Sequence, residues 1–340
     1  MDKQALETIA QNMVATGKGI LAADESSGTI KKRFDTITVE STETNRRDYR
    51  EMLFSTQDAM ANYISGVILF DETIRQQAEN GTGLVDIIQN MGCLPGIKVD
   101  TGAKDFANHN GEKVTEGLDG LRERLQEYVT LGAKFAKWRA VINIANNDLP
   151  TRNCLIANTH ALARYAGLFQ ENGLVPIVEP EVIMDGDHTI ERCFEVTAAV
   201  LQMLYATLKE QRVHLEGTIL KPNMVLSGTQ NPNQAGIEQV AEMTLDCLTA
   251  NVPQTVPGIV FLSGGQSDID ATAHLDAINR LAKARGKTSW KLSFSYGRAL
   301  QAPVLQTWGG KAENRQAAQD AFTHRAKMNG LATLGQWQGG

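Results

Sequence analysis

Residues 215–224 read Leu-Glu-Gly-Thr-Ile-Leu-Lys-Pro-Asn-Met, and the reading of this stretch sets the terms for the rest of the chain. Thr218, Ile219 and Leu220 make a short, apolar, β-branched run of the kind that forms a buried strand. Pro222 cannot donate to a strand ladder and cannot sit inside a helix, so the strand must stop at Lys221. A lysine is thereby fixed at the exit of a buried strand. Burial disfavours an ammonium, and an amine kept from full protonation can attack a carbonyl carbon to form a Schiff base. The alternative is a snorkelling lysine, with its stem on apolar surface and its head in water. The neighbouring segments decide between the two.

The same device recurs on both sides. Residues 20–23 lead into Asp24 and Glu25, then into a Ser-Ser-Gly-Thr stretch that reads as a turn and a polar helix containing Asn45, Arg46, Arg47 and Tyr49. Residues 66–70 close on Asp71 and Glu72, and residues 95–99 carry Lys98 and Asp100 at their end. Residues 132–142, GAKFAKWRAVI, put Lys137 and Arg139 two apart and so on one face of a strand. Residues 174–178 lead to Glu179, Pro180 and Glu181. Residues 259–262 lead to Ser263, Gly264 and Gly265, and residues 291–294 to Ser295, Tyr296, Gly297 and Arg298.

With 218–220 these make eight buried runs, separated by helical patterns of which 193–209 and 271–284 are the plainest. Alternating strands and helices predict an α/β fold with a parallel sheet, and eight such units predict one closed (β/α)8 TIM barrel. An amphipathic helix over residues 1–14 precedes it. The barrel is expected to span residues 1–340 as a single domain with a short C-terminal extension. A doubly wound open sheet is disfavoured, because the glycines of GKGILAADESSG stand in the wrong order relative to the first strand.

The composition narrows the function. The 340 residues carry 33 Lys+Arg against 39 Asp+Glu, a net charge of −6, with 42% hydrophobic and 21% charged residues. That balance offers no global attraction for nucleic acid or an anionic membrane, so an anionic ligand must be met by a local cluster of cations. No apolar run reaches spanning length, and the first residues do not read as a targeting peptide. The chain is therefore expected in the cytoplasm. The four cysteines, Cys93, Cys154, Cys193 and Cys247, have neither metal nor redox spacing, and the six histidines are scattered. No metal and no cofactor is expected.

In such a barrel the strand exits meet at one mouth. Asp24, Lys98, Lys137, Arg139, Glu179, Glu181, Lys221, Ser263 and Arg298 would all gather there, and ionised groups crowded on a packed barrel need partners or a ligand. Carboxylates among lysines suit proton shuttling around an amine that condenses with a ketone. Ser263-Gly264-Gly265 offers accessible backbone N–H groups and Arg298 a bidentate clamp, both suited to phosphate. Ser26, Thr29, Arg33 and Lys98 form a second anion cluster, expected on the opposite rim.

The strings GKGILAADES, GVILF, GIKVD, FAKWR, VPIVEPE, LEGTILKPNM, FLSGGQS and SFSYGRALQ, in this order, resemble class I fructose-bisphosphate aldolase over about residues 2–328. The resemblance implies that Lys221 is the Schiff-base lysine. It implies that Asp24 binds a substrate hydroxyl and guides carbon–carbon cleavage, and that Glu179 is the general acid/base for the carbinolamine. Lys137 would stabilise that carboxylate and the substrate hydroxyls, with Arg139 and Glu181 beside it. Ser263, Gly264, Gly265, Ser295, Gly297 and Arg298 would hold one phosphate, while Ser26, Thr29, Arg33 and Lys98 lie toward the other. The substrates implied are phosphorylated sugars, and a homo-oligomer, a tetramer in the family, is expected. Rival readings are a preference for sedoheptulose 1,7-bisphosphate and a non-catalytic scaffold on the same fold. Thr29 stands where many relatives have serine. The chain ends in LGQWQGG with Tyr296 its last tyrosine, so the tyrosine-bearing tail of animal relatives is not expected to act here.

Overall fold

The computed structural model describes residues 1–145, 148–286 and 288–339. Ten strands follow in chain order: β1 (Gly19–Ala23), β2 (Ile64–Leu69), β3 (Leu94–Lys98), β4 (Gly102–Asp105), β5 (Lys113–Glu116), β6 (Phe135–Ile142), β7 (Val175–Val182), β8 (Ile219–Leu220), β9 (Gly258–Phe261) and β10 (Lys291–Tyr296). Eight of them close into a parallel barrel in the order β1-β10-β9-β8-β7-β6-β3-β2. These are the eight buried runs of the sequence. The remaining pair, β4 and β5, forms an antiparallel hairpin outside the barrel.

Alternation along each strand decides what faces inward. In β6, Phe135, Lys137 and Arg139 share one face, while Ala136, Trp138, Ala140 and Ile142 pack outward in the layer beneath the helices. In β7, Val175 and Ile177 point in and Val178 and Val182 point out. The interior is filled by Ile20, Ala22, Ile68, Phe135, Val175, Ile177, Ile219 and Val260. The Phe135 ring lies so close to β3 that a Cβ on Gly96 would sit 2.3 Å from its Cε2, so any larger residue there must displace the ring.

The first helix, α1 (Lys3–Met13), closes the amino-terminal end of the barrel. Its Leu6, Ala10 and Met13 bury their side chains against the interior cluster, as the amphipathic pattern requires. The stretch after Asp24 differs from expectation. Ser26 stands at the N-cap position of a second helix, α2 (Ser27–Asp35), without a side-chain capping hydrogen bond, rather than opening a turn. Serine is a favoured N-cap, and Ile30 and Phe34, four apart, are both buried. A third helix, α3 (Glu43–Phe54), then carries the polar pattern predicted there. At the other end, the helix Arg315–Ala332 packs Ala318, Phe322 and Ala326 into the outer core. No helix among the described residues is long and apolar enough to cross a membrane.

Candidate active site

The carboxyl ends of the barrel strands open into a cleft of about 1170 Å³. Asp24, Ser26, Thr29, Arg33, Lys98, Lys137, Arg139, Glu179, Glu181, Lys221, Ser263, Gly264, Ser295, Gly297 and Arg298 all line it. Gly265 is the exception. It adopts φ +76°, turns the chain away from the cleft, and faces Met184, whose Cβ would lie 2.7 Å from an added Cβ.

Strand register brings the charged groups together. Lys137 of β6 pairs with Lys98 of β3, and Arg139 pairs with Glu179 of β7. The backbone N–H of Lys221 donates to the Val178 carbonyl at 2.8 Å, so the short β8 carries its ladder one residue beyond Leu220 before Pro222 ends it. The Lys221 ammonium then stands 3.1 Å from Glu179 Oε1. Lys137 lies 3.1 Å from Glu179 Oε2 and 2.6 Å from Asp24 Oδ2. These four side chains form a continuous, charge-balanced line, each at most 12% exposed. Around it, Lys98 lies 2.7 Å from Asp100 Oδ1, and Arg139 pairs closely with Glu181.

Proton affinities follow from this arrangement. Burial alone would raise Asp24, but the charges of Lys137 and Lys221 outweigh it and hold the carboxyl well below its ordinary range. Glu179 responds in the same way: burial pushes it up, while Lys137, Lys221 and Arg139 pull it down further. Burial would lower Lys137, yet Asp24, Glu179 and Asp100 raise it far above an ordinary lysine. Lys137 is thus a permanent cation between two carboxylates that stay ionised at neutral pH. Such a line can accept a proton at Glu179 beside an amine, and it holds an ionised oxygen of Asp24 within the same cleft.

The anion-binding groups divide less evenly than expected. Ser263 and Gly264 follow β9, and Ser295, Gly297 and Arg298 belong to or follow β10. Ser295 Oγ is buried with no hydrogen-bond partner, and Arg298 is exposed at the cleft with no ion pair among the described residues. Because the barrel closes, β1 is the neighbour of β10. Arg33, reached through β1 and α2, therefore lies next to Gly297, with its Nη2 3.5 Å from where a Cβ there would stand. Ser26, whose Oγ is 3.1 Å from Thr29 Oγ1, stands at the start of the same helix. Of the second cluster, Lys98 alone lies farther round, on β3 beyond β2. Separation in sequence concealed this proximity.

The cleft also contains residues that sequence reading did not assign to it. Glu25 is 6% exposed and accepts from Gln301 Nε2 at 2.9 Å, and both line the wall. Asp100 secures Lys98, and Asp100 Oδ2 accepts from the Arg139 backbone N–H at 3.3 Å. Behind the wall, Arg46, Tyr49, Arg50 and Leu53 occupy i, i+3, i+4 and i+7 of α3. That spacing puts Arg46 and Arg50 on the helix face that carries the buried Tyr49 and Leu53.

Comparison with other proteins agrees with the architecture. The family described as Fructose-bisphosphate aldolase class-I matches residues 5–340. A protein of Xanthomonas campestris named probable fructose-bisphosphate aldolase class 1 is 56% identical over 340 residues, the whole of both chains. A cytosolic fructose-bisphosphate aldolase of Arabidopsis thaliana is 54% identical over 323 residues, covering 95% of this chain and 81% of its own. Among solved structures, fructose-bisphosphate aldolase from Plasmodium falciparum, in a ternary complex with TRAP and a small-molecule inhibitor, superposes with a TM-score of 0.95. It is 48% identical and covers 99% of this chain and 96% of its own. Closed eight-stranded barrel, strand-end lysines and full-length likeness lead to one statement: the chain belongs to the class-I fructose-bisphosphate aldolase family.

Proposed function

We propose that the protein reversibly cleaves fructose 1,6-bisphosphate to dihydroxyacetone phosphate and glyceraldehyde 3-phosphate through an imine on Lys221. The observation that carries this reading is the buried line Lys221–Glu179–Lys137–Asp24, with an ionised carboxylate 3.1 Å from the amine. Glu179 takes the proton from the Lys221 ammonium, and the free amine adds to the C2 carbonyl. Glu179 then returns the proton to the carbinolamine oxygen, which leaves as water. The protonated imine withdraws the electron pair of the C3–C4 bond. As that bond breaks the C4 hydroxyl loses its proton with Asp24 as the acceptor, the aldehyde departs, and an enamine remains. Protonation at C3 and hydrolysis release the ketone and restore the amine. Lys137 stabilises both carboxylates throughout and remains charged.

Phosphate binding is assigned to Ser263, Gly264, Ser295, Gly297 and Arg298, with Ser26, Thr29 and Arg33 beside them and Lys98 across the mouth. Holding the phosphates sets the C3–C4 bond over Lys221, which converts binding into orientation. Sedoheptulose 1,7-bisphosphate is a second substrate to compare by turnover. One barrel domain working as a homo-oligomer in the cytoplasm completes the reading, supported by the plant relatives named cytosolic.

The test is borohydride reduction in the presence of dihydroxyacetone phosphate, followed by peptide mapping. Substrate is expected on Lys221, with activity unaffected by EDTA. Label on Lys137 or Lys98, or inhibition by the chelator, refutes the assignment.

A further inference from the structure

We propose that Arg50 is a positioning residue of the phosphate rim, acting through Glu25 to keep Arg33 available to a substrate phosphate. Arg50 lies on the inner face of α3, is 1% exposed, and does not line the cleft. Its Nη2 donates to the Glu25 carbonyl oxygen at 2.8 Å, and its guanidinium stands 3.8 Å from Glu25 Oε2 and 3.6 Å from Glu72 Oε1. Arg50 Nε and Nη1 make no hydrogen bond. Glu72 is already occupied: Arg46 Nε donates to its Oε1 at 2.8 Å, and Arg46 Nη2 reaches its other oxygen. The Arg50 guanidinium thus lies between the two carboxylates, and its hydrogen bond goes to the Glu25 backbone.

A buried guanidinium with unmet donors is a poor way to stabilise a wall, because well-packed apolar residues commonly do as well or better. Its position suggests what it does instead. The Glu25 peptide joins Asp24 to Ser26, so the bond from Arg50 fixes the backbone between a proposed catalytic carboxylate and the cap of α2. The Glu25 carboxylate, 5% exposed, is also where Arg33 forms its ion pair. Were Arg33 the sole cation facing that carboxylate, its charge would be neutralised in place. Arg50 shares the carboxylate from behind, so the rim retains a net positive charge beside Gly297. Among Arg33, Arg46, Arg50, Glu25 and Glu72 there are three cations and two anions, and removing Arg50 makes the group neutral.

This inference rests on the reading of the cleft as a site for phosphorylated ketoses, and the experiment separates the two. Steady-state kinetics with fructose 1,6-bisphosphate are measured for Arg33→Met, Arg50→Met, Arg50→Lys and the double variant Arg33→Met/Arg50→Met. Arg33→Met and Arg50→Met are each expected to raise KM by roughly tenfold or more, the size of a lost charge-assisted contact, with kcat changed by less than about threefold. The double variant is expected to be no worse than Arg33→Met alone, because Arg50 acts through Arg33. Arg50→Lys should recover most of the affinity, which a loss of packing alone would not predict. If Arg33→Met leaves KM unchanged, the phosphate role of Arg33 fails and the inference fails with it. If Arg33→Met raises KM but Arg50→Met does not, or if the two effects multiply, the inference alone is overturned. Should Arg50→Met not fold, the cycle is run with Arg50→Gln, which removes the charge but keeps a hydrogen-bond donor, and effects of Arg50→Gln and Arg33→Met that multiply overturn it equally.

Discussion

Lys221 and Glu179 reach each other across adjacent parallel strands, Nζ to Oε1 at 3.1 Å, at the point where Pro222 stops β8 and Glu179 faces the barrel mouth. In the proposed mechanism this contact sets the nucleophile beside its base before any substrate arrives. Replacing Lys221 with methionine, which matches its length without the amine, should lower cleavage on the order of 10⁴-fold or more, the scale seen when a covalent nucleophile is lost. Glu179 keeps Lys137 as its counterion, so the variant should still melt cooperatively. Appreciable turnover in Lys221→Met would exclude the imine route.

Lys137 is expected to set the acid side of the pH profile. It is a leading cause of the low proton affinity of both Asp24 and Glu179, so Lys137→Met should let both carboxyls rise. The acid limb of kcat/KM is then expected to move to higher pH, with turnover falling on the order of 10²–10⁴. An acid limb that stays in place in the variant would mean that neither carboxylate governs it.

Asp24 links activity to stability. Its carboxyl is held below its ordinary value in the folded state, so the fold favours the ionised form. That contribution is fully present above the unfolded-state pKa near 4 and is lost as pH falls below it. Relative to Asp24→Asn, the native protein should therefore melt higher at neutral pH than its advantage at about pH 3. Thermal melts across that range provide the check, and a gap that widens on acidification would reverse the sign.

Gly96 tests the barrel interior independently of chemistry. Gly96→Ala forces a methyl group into the Phe135 ring at 2.3 Å and should cost about 1–3 kcal/mol of stability. Phe135→Leu in the same chain should restore part of it. Urea melts of the single and double variants decide the matter, and a neutral Gly96→Ala would show that the ring shifts freely.

The barrel strands and the charged residues at their exits could be read from sequence, because both depend on local signals. Short buried runs punctuated by polar exits mark the strands, and alternation predicts that Lys137 and Arg139 share a face, as they do in β6. Even the two-residue β8 is legible, since Pro222 announces its end. The hairpin of β4 and β5 was not, because its residues are largely half-buried or exposed and show no hydrophobic period. The nearness of Arg33 to Gly297 depends on barrel closure, which joins β1 to β10. Gly265 reads as part of a phosphate loop in sequence, while in the structure it has φ +76° and does not line the cleft. Arg50 was hidden by its charge, since arginine is rarely fully buried.

The seat of α1 has a consequence for how the protein is made. Leu6, Ala10, Met13 and Val14 bury against a cluster that includes Ile219 and Val260. This helix thus cannot bury its apolar face completely until those later strands are in place. Until residue 260 has emerged, the lower barrel cannot dry, and an apolar helix face remains exposed on the growing chain. The contacts joining the two are among the longest-range in sequence, so their closure carries a large loop entropy and belongs late in folding. Amide protons in α1 should accordingly gain full protection from exchange only when those of β8 and β9 do.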